Sequence, residues 1–143
     1  IVWWTPKQKV STLFVDKLNM PKGKLPMPAL LFITKGNELT IFSLSTSKRP
    51  SLSTELYNAP LLNYYNNNTM CWGSVDVKHQ IEEVDKEMKF WEDKLWESEF
   101  SHASSVTTTK SDIIKLYREL IKSGKDFPVS ELIKANLKLK DVL

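Results

Sequence analysis

The chain has 143 residues, of which 41% are hydrophobic and 26% are charged, and its formal net charge is +3 at pH 7. This length suits one domain with one core, so we expect residues 1–143 to form a single domain. Because the net charge is small, nucleic-acid binding is not expected, and because no run of about 18 apolar residues occurs, a membrane-spanning segment is not expected either.

Four short runs in the first half of the chain are rich in branched and aromatic residues and are bounded by proline, glycine or asparagine. Such runs favour β-strands. The predicted strands cover residues 1–4, 11–15, 29–34 and 39–44. Lys35, Gly36 and Asn37 predict a tight hairpin between the last two strands. The simplest topology for these runs is an antiparallel meander.

Residues 45–70 show no clear periodicity and contain serine and threonine clusters, two prolines and the asparagine run 66–68. Loops of this length are uncommon in a compact domain unless they serve a site. The segment leads directly to Cys71, the only cysteine, in the sequence NYYNNNTMCWGS. The length of this loop therefore predicts a functional site near Cys71.

The second half of the chain is predicted to be helical. A helix is expected from an N-cap at Asp76 to about Phe100, because apolar residues recur there at spacings of three and four. Its buried stripe is predicted to consist of Val77, Ile81, Val84, Met88, Trp91 and Leu95. A second helix is predicted from the N-cap Ser111 to Gly124, and a short third helix from Ser130.

Strands that precede helices, rather than alternating with them, predict an α+β fold in which the antiparallel meander packs against the C-terminal helices. The first predicted helix is also acidic: residues 76–100 hold nine Asp or Glu against four Lys, a net charge of −5. Such a run is usually a solvated helix face, and a protein-docking surface is the alternative.

Cys71 has two interpretations when it is taken alone. A free cysteine is commonly a small buried hydrophobe, whereas a nucleophile requires a base that is oriented toward the thiol. His79 is predicted to be solvated in the first turn of the acidic helix, and His102 follows the end of that helix, where the dipole favours a cation. Two histidines and one cysteine match no zinc spacing, so we expect no metal, and four glycines suggest no phosphate loop and no cofactor.

Asn63 stands eight residues before Cys71. The arrangement resembles ubiquitin-conjugating enzymes, whose His-Pro-Asn motif places its asparagine eight residues ahead of the active cysteine. The asparagine and the cysteine match, whereas Leu61 and Leu62 replace the histidine and the proline. The resemblance implies that Cys71 forms a thioester and that the Asn63 amide stabilises the oxyanion of transfer. For Asn63 the alternative is a turn-forming side chain that serves its own backbone.

A second resemblance covers nearly the whole chain. The stretches LPMPALLF, RPSLSTELYNAPLLNYYNNNTMCWGS, FWEDKLWESEFSH and FPVSELIKANLKLKDVL are similar to the C-terminal portion of PRTRC system protein B, a bacterial family in the prokaryotic branch of the ubiquitin-conjugating superfamily. The resemblance implies two partners, a ThiF-like adenylating enzyme and a small ubiquitin-like protein. Full-length members have a further N-terminal part, and since Ile1 is not an initiator residue, we expect this chain to be a fragment of such a protein.

Three functions follow as hypotheses. The leading one is an acyl carrier that accepts a ubiquitin-like protein on Cys71 and transfers it to an amine, with Asp76 and His102 as auxiliary candidates. For Asp76, which would orient the incoming lysine, a helix N-cap is the alternative role. The rival function is a non-catalytic binding module for the ubiquitin-like protein or another partner, and a nucleic-acid partner comes third. A lone thiol and the lack of a secretion leader lead us to expect a cytoplasmic protein.

Overall fold

The computed structural model describes residues 1–103 and 107–143. It confirms the predicted α+β class, with mostly antiparallel strands and two α-helices. Among the described residues no helix is both long and apolar enough to cross a membrane. The strands are β1 (Val2–Thr5), β2 (Gln8–Val10), β3 (Leu13–Phe14), β4 (Leu25–Met27), β5 (Ala29–Lys35), β6 (Glu38–Leu44), β7 (Glu55–Asn58), β8 (Glu99–Phe100) and β9 (Lys134–Lys138); the helices are α1 (Val84–Glu97) and α2 (Ile113–Ser123).

The main sheet has five strands in the order β1-β5-β6-β7-β9, and every neighbouring pair is antiparallel. The predicted hairpin is present between β5 and β6, where Lys35 pairs with Glu38 across a two-residue turn. Gly36 has φ +60° in that turn, a conformation that costs glycine no steric strain. The central strands therefore form the meander that the sequence predicts.

Both faces of the main sheet are covered. Successive side chains of a strand point to opposite faces, and in β5 Leu30 and Phe32 face the core beneath the helices while Ala29 and Leu31 face a second apolar cluster. The helices contribute Trp91, Leu95, Ile113, Tyr117 and Ile121 to the first core. The C-terminal turn (Leu139–Asp141) covers the opposite face with the Leu139 side chain. A strand buried on both faces has a continuous apolar sequence, as β5 does.

Three predictions about strands and loops are wrong. The run 11–15 does not enter the main sheet, because only β3 forms there and it pairs in parallel with β8. The loop 45–70 contains β7. The predicted third helix is instead a 3-10 turn (Val129–Glu131) followed by β9, which pairs with β7. The physical reason lies in the sequence KANLK, whose polar residues alternate with Ala135 and Leu137, the two that pack against the sheet.

The boundaries of both helices also differ from the prediction. α1 begins at Val84 with Glu83 as its N-cap, not at Asp76, and it ends at Glu97 before β8. The Asp76 carboxylate accepts the N–H of Lys78 at 2.9 Å, and the His79 ring bonds the Val77 carbonyl at 2.9 Å. These local hydrogen bonds compete with the helical ones, which explains the late start.

In α2 the N-cap is Asp112, not Ser111. The Asp112 carboxylate accepts the Lys115 N–H at 2.9 Å, whereas the Ser111 N–H donates to the Glu131 carboxylate at 2.8 Å. The predicted end of the helix is confirmed, because Gly124 has φ +66° and its N–H donates to the Leu120 carbonyl.

Candidate functional site

A tight turn built from the asparagine run leads the chain to Cys71. Within it the Tyr65 N–H donates to the Thr69 carbonyl at 2.9 Å, and the Asn68 N–H donates to the Tyr65 carbonyl at 3.0 Å. Asn68 has φ +67°, a left-handed conformation that asparagine tolerates better than most residues. The Asn67 side chain accepts the Thr69 hydroxyl at 2.6 Å. The polar run is therefore an ordered turn with its own side-chain hydrogen bonds.

The turn is fastened to the main sheet through Tyr64. Its hydroxyl donates to the Ile41 carbonyl and accepts from the Asn68 amide at 2.8 Å. Burial raises the pKa of Tyr64 well above its ordinary value, so the phenol stays protonated. Since Ile41 belongs to β6, the position of the turn is set by the sheet.

Cys71 is partly exposed and lies just after this turn. Its N–H donates to the Asn63 carbonyl at 2.8 Å, and its Sγ accepts the Tyr65 hydroxyl at 3.0 Å. The next residue, Trp72, packs against Trp91 of α1 with 5.8 Å between ring centroids. Cys71 thus lies partly exposed at the end of the segment that follows β7, while its neighbour Trp72 anchors the chain to α1.

Asn63 connects Cys71 to the segment after α1. It is 8% exposed and has φ +54°. Its amide nitrogen donates to the Glu99 carbonyl at 3.1 Å, and its amide oxygen accepts the N–H groups of Ser101 at 3.2 Å and His102 at 3.4 Å. Its own N–H donates to the His102 carbonyl at 3.2 Å. These contacts are with backbone groups of residues 99–102, which is the arrangement of a positioning residue.

The two auxiliary candidates occupy different surroundings. His102 is exposed, its Nδ1 lies 2.8 Å from the Ser101 hydroxyl, and its backbone is held by Asn63. Asp76 is also exposed, in the turn that follows Cys71, where it holds the Lys78 N–H. The structure therefore links Cys71, Asn63 and His102 through one chain of hydrogen bonds and leaves Asp76 outside that chain.

A family model described as prokaryotic E2 family D matches residues 1–135. This chain belongs to prokaryotic E2 family D. No curated protein and no solved structure matches it. The family D match includes the main sheet up to the start of β9, both helices, Asn63 and Cys71. Membership gives the chain a ubiquitin-conjugating-like function in general terms.

The surroundings of His79, the other histidine of this family D chain, differ from the sequence prediction. His79 was expected to be solvated on a helix, but its side chain is only 11% exposed and its ring lies 4.3 Å from that of Phe90 and 5.2 Å from that of Trp91. Its Nε2 is 3.5 Å from the Glu87 carboxylate. His79 thus holds the irregular segment after Cys71 against α1.

Sequence reasoning also missed Tyr65 in this family D protein. The only signal was its place at the start of the polar turn, because a hydrogen bond to the sulfur six residues later depends on how that turn closes. In the described part of the chain, no group of three or more His, Cys, Asp or Glu side chains is arranged to hold a metal ion.

Proposed function

We propose that this family D protein is an acyl carrier, in which Cys71 accepts the C-terminus of a ubiquitin-like protein as a thioester and passes it to an amine. The observation that supports this most directly is the partly exposed thiol at the end of an ordered turn in an E2-family chain. The similarity to PRTRC system protein B suggests the partners, a ThiF-like adenylating enzyme as donor and a small ubiquitin-like protein as cargo. The reducing cytoplasm would keep the single cysteine as a thiol.

The chemistry requires sulfur at residue 71. In loading, the Cys71 thiolate attacks the activated C-terminal carbonyl, an Sγ–C bond forms, and the adenylating enzyme's leaving group departs. In transfer, an amine attacks the same carbon, a C–N bond forms, and the C–Sγ bond breaks with its electron pair returning to Cys71. Thiolates are strong nucleophiles, and thioesters remain reactive toward amines.

Asn63 enters this proposal in two roles that an experiment can separate. Its hydrogen bonds to residues 99–102 support a positioning role for the backbone beside Cys71. The superfamily resemblance suggests a second role, in which the amide turns from the Glu99 carbonyl to the oxyanion during transfer. If it does, Asn63→Ala should slow discharge by about 10² to 10³, the usual loss for one oxyanion donor.

His102 and Asp76 are proposed only as auxiliaries. The exposed His102 imidazole would accept the proton that the attacking amine releases, and the exposed Asp76 carboxylate would orient that amine. Single substitutions, His102→Gln and Asp76→Asn, should then slow discharge from loaded Cys71 without slowing loading.

A non-catalytic binding module is the second candidate function, and the Asn63 geometry favours it. The amide is turned toward the Glu99 carbonyl and the 101–102 backbone, as in a residue that maintains a binding surface. In this case the protein would hold the ubiquitin-like protein or another partner without forming a bond to it.

One reconstitution distinguishes the carrier from the module. The protein is mixed with the ThiF-like enzyme, the ubiquitin-like protein and ATP, and the products are separated with and without thiol. We expect an adduct that thiol removes, an ester that resists mild thiol in Cys71→Ser, and no adduct in Cys71→Ala. A thiol-labile adduct that persists in Cys71→Ser would place the chemistry elsewhere, and binding without any adduct would favour the module.

A further inference from the structure

The Tyr65 hydroxyl is directed at the sulfur that the proposed function uses. The distance from Oη to Sγ is 3.0 Å, and the Tyr65 side chain is half exposed, at 49%. Both residues are held by backbone hydrogen bonds, Tyr65 to Thr69 across the turn and Cys71 to Asn63. These backbone hydrogen bonds therefore fix the position of the phenol beside the thiol.

We propose that Tyr65 is a catalytic residue whose phenol O–H donates to Cys71 Sγ, stabilising negative charge on that sulfur both when it attacks and when it leaves during transfer. The leaving-group half of this proposal depends on the acyl-carrier function. The effect on the free thiol does not depend on it.

The direction of the effect follows from hydrogen-bond strength. A donor binds an ionised acceptor more strongly than a neutral one, so a phenol beside Sγ stabilises negative charge on the sulfur. The pKa of Tyr65 is raised by its hydrogen bond to Cys71 and by the charge of the thiolate. Tyr65 consequently keeps its proton, and remains a donor, after the thiolate has formed.

The same contact assists the transfer step. As the amine nitrogen bonds to the thioester carbon, the C–Sγ bond breaks, the electron pair moves to Sγ, and the amine proton passes to a base, the role proposed above for His102. The Tyr65 O–H then faces a sulfur whose negative charge is increasing, which strengthens the hydrogen bond in the transition state. Tyr65 donates a hydrogen bond throughout and gives up no proton.

The test measures the thiol alone, without any partner. Because Cys71 is the only cysteine, the rate of alkylation by iodoacetamide reports on this sulfur. It is measured from about pH 6 to pH 10, a range that spans ordinary thiol titration. In Tyr65→Phe we expect alkylation at neutral pH to slow about three- to tenfold, a modest loss because solvent competes for an exposed donor. At the alkaline end, where both proteins carry the thiolate, Tyr65→Phe should be the faster of the two, because a thiolate stabilised by a hydrogen bond is the weaker nucleophile.

Two controls accompany this measurement. Tyr57→Phe makes the same chemical change on β7, where the side chain packs against a cluster of Leu116, Leu120, Phe127 and Leu132, and it should leave the alkylation profile unchanged. Cys71→Ser should abolish labelling. Matching thermal melting curves for wild type and Tyr65→Phe would show that the fold is intact.

Several results would overturn the proposal: an unchanged profile in Tyr65→Phe, equal slowing in Tyr57→Phe, or faster alkylation of Tyr65→Phe at every pH, which would make the phenol a shield. Discharge of loaded Cys71 to an amine should also slow in Tyr65→Phe. If wild type alkylates as expected but never forms the thiol-labile adduct, the acyl-carrier function fails while the effect of Tyr65 on the thiol stands.

Discussion

At the scale of single residues, Asn63 combines two properties that few side chains offer together. Its backbone is left-handed, at φ +54°, and its amide supplies one donor and one acceptor to the 99–102 backbone. Asparagine tolerates this conformation and can hydrogen-bond in both senses. The residue type at position 63 is therefore explained by local structure before any catalytic role is considered.

Two substitutions separate these properties. Asn63→Gly keeps the conformation but removes the amide, and we expect a loss of about 1 to 3 kcal/mol in the free energy of unfolding because buried backbone groups lose partners. The free energy of unfolding of Asn63→Ala should be lower by about 1 kcal/mol more, because a residue with a Cβ atom is strained in the left-handed conformation. Urea denaturation measures both. Equal stability of the glycine variant and wild type would mean that the amide contributes nothing to holding residues 99–102.

At the scale of elements, α1 is attached to the sheet through one side of the helix. Trp91 and Leu95 are fully buried, whereas Met88 is only partly buried and Lys89 is exposed, where it pairs with Asp93 at 2.6 Å. Of the predicted stripe, only Trp91 and Leu95 are therefore buried; Val84 is exposed in the first turn of the helix, and Val77 and Ile81 lie outside the helix.

Replacing the central tryptophan tests this attachment. Trp91→Ala should destabilise the protein by about 3 to 5 kcal/mol, the range for emptying a large buried site, and Met88→Ala by less because the side chain is only partly buried. Lys89→Ala, two residues before Trp91 and on the exposed side, should change stability by less than about 0.5 kcal/mol. Chemical denaturation of the three variants gives the comparison, and similar losses for Trp91 and Lys89 would contradict the burial of this side.

These elements also show what the sequence predicts and what it does not. The hairpin at Gly36 and the helix end at Gly124 were predictable because each depends on one residue and its neighbours. The alternation of polar and apolar residues in β9 is visible in the sequence, but it is short, and the sequence predicts a helix there instead. The late start of α1 was not predictable, because the His79 ring that bonds the Val77 carbonyl is also held by packing against Phe90, a contact between distant turns of the chain. The same distinction between local sequence and tertiary contact applies to the site. The spacing in the sequence indicates Asn63 and Cys71, whereas the contact of Tyr65 with the sulfur depends on how the turn closes.

At the scale of the whole molecule, two buried phenols connect distant parts of the chain. Tyr117 of α2 donates to the Pro60 carbonyl in the loop before Asn63, and Tyr64 donates to the Ile41 carbonyl of β6. Burial raises the pKa of both tyrosines above the ordinary value of 10.0. Both hydroxyls are thus protonated donors that join the helices, the loop and the sheet.

This pair predicts an alkaline limit to stability. Because the folded state binds the two protons more tightly than the unfolded state, the stabilisation is complete below about pH 10 and is lost as the pH rises further. At neutral pH, Tyr64→Phe and Tyr117→Phe should each be less stable than wild type by about 1 kcal/mol, because a hydrogen bond is lost. The decrease in the free energy of unfolding between neutral and alkaline pH should be smaller in each variant than in wild type. Urea unfolding at several pH values, followed by tyrosinate absorbance, measures the effect. Ionisation of both phenols near pH 10 in the still-folded protein would contradict it.

The short parallel pair of β3 and β8 determines when the site can assemble. Leu13 pairs with Glu99, and the carbonyl of that same Glu99 receives the Asn63 amide. The hydrogen bonds that hold Asn63 beside the thiol therefore depend on contacts between residues far apart in the sequence. Closing such long loops costs chain entropy before the contacts form and stabilise the fold. During synthesis on the ribosome, the thiol emerges well before residues 99–102 do. A nascent chain thus carries Cys71 before β3 is paired, and the hydrogen bonds that hold Asn63 beside the thiol form only after the chain has grown past residue 102.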